Sequence, residues 1–532
     1  MGKYIHLFQT KEEFNQAVDN NFTEPWVSYT KENDKVDYYK TEEARKLEKP
    51  FTIEATQDGT TVYFRQSQYA VDDGLDPLKV EVSTDNGETW TEVTAAPAED
   101  DVPGATLAEL DEGERVLIRG NNEVYGYYSD TQYESVENCN FYADSPCYVY
   151  GNIMSLISGD DFAGLREVKE HAFAYFFVVI DEDFSWVLLK DGNELLLPAT
   201  TLAEYCYYGM FQGCTGLTAV PKLPAMTLAN SCYAHLFDGC TSLTSAPELP
   251  ATTLADNCYG YMLSNTGLII APELPATTLA NDCYTNMFQG CTNLTAIPEL
   301  PATTLANRCY NSMFSGCTSL TKAPELPATT LAESCYRYMF EDCTSLATVP
   351  ALPVTTLTSD CYCGMFRGCA SLTNAPELPA TTLTNNCYSR MFSNCTGLTS
   401  APELPAMTLA SYCYENMFNN CTNLTSAPEL PATTLVDNCY NSMFNGCTGL
   451  TSAPELPATT LAGYCYVAMF QGCTNLSYIK AMFTTTPGTS YTRNWVQDVK
   501  GTGTFVKNSA ASWNVTGNNG VPSGWTVETA SE

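Results

Sequence analysis

The sequence predicts an α+β repeat solenoid, preceded by a small N-terminal α/β module and a β-sandwich domain and closed by a β-rich C-terminal cap. Three observations carry this expectation. The dipeptide Cys-Tyr recurs eleven times from Cys206 to Cys465, in steps of 26 residues except for one of 25 between Cys258 and Cys283. Each unit places apolar residues at helical spacing and then two closely spaced prolines. Outside the repeat, the pattern changes to short β-rich runs broken by turn residues. Near-identical units at a fixed period build a one-dimensional stack in which each unit contacts its neighbours.

The unit from Cys439 to Tyr464 reads CYNSMFNGCTGLTSAPELPATTLAGY. Cys439, Met443, Phe444 and Cys447 stand at i, i+4, i+5 and i+8, the apolar face of a helix of two to three turns. Gly446 falls where such a helix ends. Leu450 and Ala453 open a short extended run. Pro454 and Pro457 hold it extended by restricting φ and the residue before each ring. One unit cannot bury Met443, Phe444, Leu450, Leu456 and Leu461 alone; eleven stacked units can.

The flanks divide in order. Residues 1–49 form a candidate docking module: Lys3–Phe8 reads as a strand, and Thr10 with Glu13 as a capping box for a short helix. Trp26–Tyr29 and Val36–Tyr39 read as a hairpin around Asn33-Asp34. Residues 50–130 carry five short β-rich runs, with Asp85-Asn86-Gly87 as a hairpin signal, and suggest an Ig-like antiparallel sandwich serving as a spacer, with a ligand-binding module as the alternative. Residues 131–200 read as a degenerate repeat and N-terminal cap, with Ala172–Phe177 in the helix position. Residues 201–478 are the solenoid. Residues 479–532, with Phe505, Trp513 and Trp525, suit the C-terminal cap.

Composition narrows function. The chain has 25 basic and 61 acidic residues, a formal charge of −36. Phosphate-led binding of nucleic acid is excluded on that charge, and docking on anionic membrane is disfavoured by it. No apolar run reaches 18 residues, so no membrane insertion is expected. The opening MGKYIHLFQTKEEF lacks an apolar signal core, so export by the ordinary secretory route is not expected. Of the 24 cysteines, 21 belong to the repeat, eleven before Tyr and ten eight residues later. Eight residues along a helix is roughly 12 Å, too far for a disulfide within a unit. No close Cys-x2-Cys pair points to zinc. The expectation is buried, reduced thiols, suited to a reducing compartment.

Stacking turns each repeated position into a row. Glu248, Glu273, Glu299, Glu325, Glu377, Glu403, Glu429 and Glu455 form a candidate acidic ladder, broken by Lys222 and Ala351. It reads either as a solvated edge or as a site for calcium or a basic partner. The tyrosine after each repeat cysteine reads as packing, with recognition of sugar rings as the alternative. Recognition is expected instead where units differ, beside the Cys-Tyr pair. Arg308, Arg337, Tyr338, Arg390 and Tyr412 are the candidates there, being residue types common in binding hot spots. Only three histidines exist, and no phosphate loop, zinc motif or nucleophile elbow appears. No enzyme and no cofactor is expected.

The run MFNGCTGLTSAPELP resembles the BspA-like leucine-rich repeats, including a form first described in mycoplasma lipoproteins. The resemblance covers Cys206 to Leu476 and implies a solenoid of leucine-rich-repeat type used in adhesion. The lead-in GNIMSLI and the tail GTFVKNSAASWNVTGNNGVPSGWTV resemble the flanks of such repeats in gut Bacteroides and their phages. The openings KYIHLFQTKEEF and EPWVSYT are similar to the start of virion proteins of those phages. What this implies is a fibre or decoration protein, homo-oligomeric, assembled in the host cytoplasm. Its N-terminal module would contact other virion proteins, and its solenoid a host-surface glycan or protein. The alternatives are a bacterial cell-surface adhesin and a polysaccharide-cleaving tailspike.

Overall fold

The computed structural model describes residues 26–30, 35–39, 42–97, 104–128, 135–137, 139–177 and 194–530. The expected strand at Lys3–Phe8 and the capping box at Thr10 lie outside them. The chain divides into two compact units, one of residues 1–201 with 216–224 and one of 202–215 with 225–532. Each is taken by itself.

In the first unit, β1 (Trp26–Thr30) pairs antiparallel with β2 (Lys35–Tyr39), the hairpin expected there. A short helix α1 (Glu42–Leu47) follows. Strands β3 (Phe51–Ala55), β4 (Thr60–Gln66), β5 (Lys79–Ser83), β6 (Thr91–Thr94), β7 (Ala105–Leu110) and β8 (Arg115–Gly120) come next. The hairpin signal between β5 and β6 acts as expected, with Asn86 and Gly87 both at positive φ, 63° and 91°. Further on lie β9 (Gly126–Tyr128), β10 (Ser135–Glu137), β11 (Cys139–Ala143), β12 (Cys147–Asn152) and β13 (Leu195–Leu196).

They form a six-stranded sheet of order β13-β12-β3-β8-β5-β6 and a three-stranded sheet β11-β4-β7. Alternate residues turn inward, as strand geometry requires: Thr60, Val62, Phe64 and Gln66 of β4 are buried and the residues between them are not. Phe51 of the larger sheet meets Phe141 of the smaller at 5.6 Å, and Phe141 stacks on Phe64 at 4.9 Å. The buried hydroxyl of Ser155 accepts from the Phe51 N–H and donates to the Ile118 carbonyl, both at 2.9 Å. It thereby ties the helix α2 (Ser155–Ser158) to the larger sheet. Sequence reading placed the β-rich region at 50–130, but β11 and β12 from beyond that limit complete both sheets.

The second unit corrects the expected repeat helix. No α-helix occurs between Leu202 and Ala530; the Cys-Tyr runs are chains of overlapping turns. In the unit of Cys309, alternate amides close turns within the coil: Cys309 to Ala306, Asn311 to Arg308, Met313 to Tyr310, Ser315 to Ser312 and Cys317 to Phe314, at 3.1–3.3 Å. The amides between them leave the coil for the next one: Arg308 to Glu333, Tyr310 to Cys335, Ser312 to Arg337, Phe314 to Met339 and Gly316 to Glu341, at 2.7–3.1 Å. Every N–H from Arg308 to Cys317 is therefore paired.

Spacing explains the choice. Tyrosine rings of successive coils lie 5.8–6.1 Å apart, with planes within 11° of parallel. Packed α-helices need about 8–10 Å between axes. Helices would splay coils whose other side holds parallel contacts such as Thr304 to Thr330 and Lys322 to Thr348. A run of nine residues also has little helical stability of its own. The same correction reaches Ala172–Phe177 in the first unit, which are turns, with His171 and Tyr175 at positive φ.

After β14 (Tyr478–Ala481), the chain makes a further coil without the Cys-Tyr signature. Tyr464, Tyr466, Ala468, Phe470 and Gly472 donate to Ser490, Tyr491, Arg493, Trp495 and Gln497. Strands β15 (Thr504–Lys507) and β16 (Thr526–Thr529) then extend β14 as a parallel sheet. Trp495, Trp513 and Trp525 close the core, their indole N–H groups donating to the Gly520, Phe483 and Lys500 carbonyls.

Candidate functional site

The turn runs place every fourth residue in the left-handed region. In the unit of Cys439 these are Asn438 at 59°, Ser442 at 54° and Gly446 at 74°. Side chains at these positions stand in rows along the stack, and four of the five candidate recognition residues are among them: Arg308, Tyr338, Arg390 and Tyr412, at 53–60°. Gly, Asn and Asp pass through this region at least cost. All eleven units carry one of those three seven residues after the first cysteine, a signal that sequence reading used only as a helix stop.

The five candidates do not form one patch. Arg308 bonds Asp282 of the preceding coil through Nε and Nη2, both at 2.8 Å, and that contact is the main reason its guanidinium is held protonated even more firmly than usual. Tyr412 stands exposed on the same row, without a role in that pair. Arg337, Tyr338 and Arg390 do come together. The Tyr338 ring lies over Gly364 of the next coil, where a Cβ would fall 2.2 Å from its Cε1. The Arg337 guanidinium sits 5.1 Å from the Tyr338 ring centre. Arg390, two coils on, donates to the Tyr338 hydroxyl at 3.5 Å and faces Glu415 at 3.5 Å. Cys363, outside the repeat positions, is buried beside them; burial pushes its thiol up, and Arg337 draws it back.

The glutamates of the acidic ladder are all exposed. Glu455 is paired with Lys480 at 2.9 Å. Among the described residues no group of three His, Cys, Asp or Glu side chains has metal-binding proximity. The tyrosine ladder is buried, from Tyr207 to Tyr466, which makes it a packing element. All 24 cysteines are buried thiols. The second cysteine of most units has a duty the sequence did not reveal: its S–H donates to the phenylalanine carbonyl of the preceding coil, as Cys447 does to Phe418 and Cys473 to Phe444, both at 3.0 Å. In the 25-residue unit, Thr266 turns its hydroxyl to Leu263 of its own coil at 2.9 Å and meets the Cys291 sulfur at 3.2 Å. His235 stacks on Tyr261 at 4.5 Å, with Nδ1 3.0 Å from Asp238.

Residues 274–399 and 360–477 match the BspA type leucine rich repeat region, in six copies. That stretch is similar to BspA-type repeats. No curated protein matches the chain. The matched repeats include Arg308, Arg337, Tyr338, Arg390 and Tyr412 and the ladder from Glu299 to Glu455. No helix among the described residues is long and apolar enough to cross a membrane.

Proposed function

We propose that this chain is a non-catalytic adhesion and protein-interaction protein whose BspA-type repeats form a solenoid. The observation that carries the reading is the spending of chemistry across the repeats. Rows that could react are buried as packing, namely the thiols and phenols, while the rows that vary run from buried positions such as Ser231 and Ser334 to the exposed Arg308, Arg390 and Tyr412. Many spaced copies of one edge favour a large or repeating ligand through avidity.

The more specific form is a phage virion fibre or decoration protein that binds a host-surface glycan or protein. Residues 1–49 would dock it on other virion proteins, as a homo-oligomer. The resemblance of the opening and the flanks to Bacteroides-phage proteins supports it. A bacterial cell-surface adhesin is equally compatible with the repeats. Two experiments separate them. In particles purified from an infected culture, a virion protein is present, and its loss on deleting residues 1–49 marks the anchor; its absence from particles overturns the virion reading. Purified protein incubated with host cells tests adhesion. Replacing Arg337, Tyr338 and Arg390 by Ser should lower attachment while the thermal melt stays within a few degrees. Unchanged attachment would place recognition elsewhere.

A further inference from the structure

Where the glutamate row breaks, the surface opens. A cavity of about 490 Å³ lies between Pro350–Pro353 of one coil and Pro376–Pro379 of the next, at Ala351. This is the size range of ligand sites, about 300–1,000 Å³. The unit that lacks the glutamate is also the less polar at the positions around it. Ala347 stands where its neighbours have Thr321 and Thr373, Val349 where they have Ala323 and Ala375, and Ala351 where they have Glu325 and Glu377. All three substitutions line the cavity, and so does Glu377. Glu377 is exposed, and no cation of the described chain bonds it, whereas Glu455 in the same row is held by Lys480.

We propose that this cavity is a binding site for a basic, apolar segment of a protein partner. An arginine or lysine lays its methylene stem, with an adjoining apolar side chain, on Pro350, Val349 and Pro376, and its cation meets Glu377. Two properties select that chemistry. The floor is proline and aliphatic, which suits a long carbon stem. The rim carries one carboxylate, Glu377, on a molecule of formal charge −36, which draws cations and repels anionic segments. In the units on either side a glutamate, Glu325 or Glu377, stands at this position, and Ala351 removes its carboxylate and stem. The proposal rests on the reading as an interaction protein and names one place and one partner chemistry for it.

The test uses the full chain and three acetylated, amidated hexapeptides of alternating leucine with arginine, glutamine or glutamate. Binding is followed by calorimetry, and its place by methyl-labelled valine and alanine spectra. The arginine peptide should bind and shift Val349 and Ala351; the other two should bind at least tenfold more weakly. Ala351→Glu restores the residue its neighbours carry, so it folds as they do, and should weaken binding at least tenfold. Glu377→Gln should weaken it severalfold and Glu299→Gln should not. Binding that is unchanged or tighter in Ala351→Glu would mean the peptide senses only the glutamate row, and would overturn the proposal. So would no binding at all. Attachment of the wild-type protein to cells, measured alongside, tests the broader reading separately: attachment without peptide binding overturns the cavity and leaves that reading standing.

Discussion

The left-handed residues of the turn runs are the least expected feature of the chain, and they set what a substitution costs. A residue with a Cβ in that region loses about 1–2 kcal/mol relative to glycine. Gly316, at 75°, has room for a methyl group, its nearest neighbour being the Gly290 Cα at 3.5 Å. Gly316→Ala should therefore show the backbone cost alone, a loss of about 1 kcal/mol, read as a lower denaturant midpoint. Tyr412→Asn, at 60°, should raise the midpoint, because Asn tolerates this region better.

The thiols make a second prediction. Burial pushes Cys343, Cys395 and Cys473 up to about 12, against about 8.5 in an unfolded chain. The folded thiols thus keep protons that the unfolded ones lose. Their stabilisation is complete below about pH 8.5 and is lost as pH rises toward 12, at about 1.4 kcal/mol per thiol per unit. The other buried repeat thiols are shifted in the same direction, so stability should fall steadily as pH rises above about 8.5. Maleimide labelling at pH 7.5, slow when native and complete in denaturant, checks the burial. Stability that stays flat from pH 8 to 10 would contradict it.

At the scale of the element, the coil is the unit of exchange. Removing residues 413–438 joins Tyr412 directly to Cys439 in the same phase, so the amide pairing of one coil to the next is preserved. That deletion should leave the circular dichroism per residue unchanged and unfolding cooperative, as nearest-neighbour stacking requires. Removing residues 413–425 alone sets the proline run against a neighbouring turn run, and should yield a chain rapidly cut by protease. The 25-residue unit shows how much error a coil absorbs. Its turn run keeps every contact with the next coil from Asn257 to Asn265, and the missing residue is taken up near Thr266. The sequence showed the shortened step but not where the slack would be absorbed, because that depends on which carbonyls the next coil offers. The recognition candidates were half legible in the same way. Their variability was visible; that Tyr338 could lie flat required a glycine at 364, one coil away.

For the whole molecule, charge is the dominant uncompensated term. Rows of exposed glutamate repeat along the stack, and the formal charge is −36. Self-repulsion of this kind opposes the compact state and is screened by salt. The melting temperature should rise between roughly 20 mM and 500 mM sodium chloride, where the Debye length falls from about 20 Å to about 4 Å. Replacing Glu403 and Glu429 by Gln should raise it at low salt and flatten that dependence. A melt insensitive to salt would show the carboxylates to be neutralised by other means.

The period, the eleven Cys-Tyr units and the rows that form the core could be read from the sequence alone, because repetition and hydrophobic spacing are properties of one dimension. The apolar stripe was assigned correctly as core and incorrectly as helix. Cys439, Met443, Phe444 and Cys447 are all buried, yet their backbone alternates between its own coil and the next. Only the tertiary structure could decide that. Whether an amide closes a helical turn or reaches sideways depends on a second backbone lying within hydrogen-bonding reach, about 5 Å away, and no local stretch of sequence encodes it. The cavity at Ala351 has the same origin. A missing side chain becomes a space only when stacking places walls on either side of it.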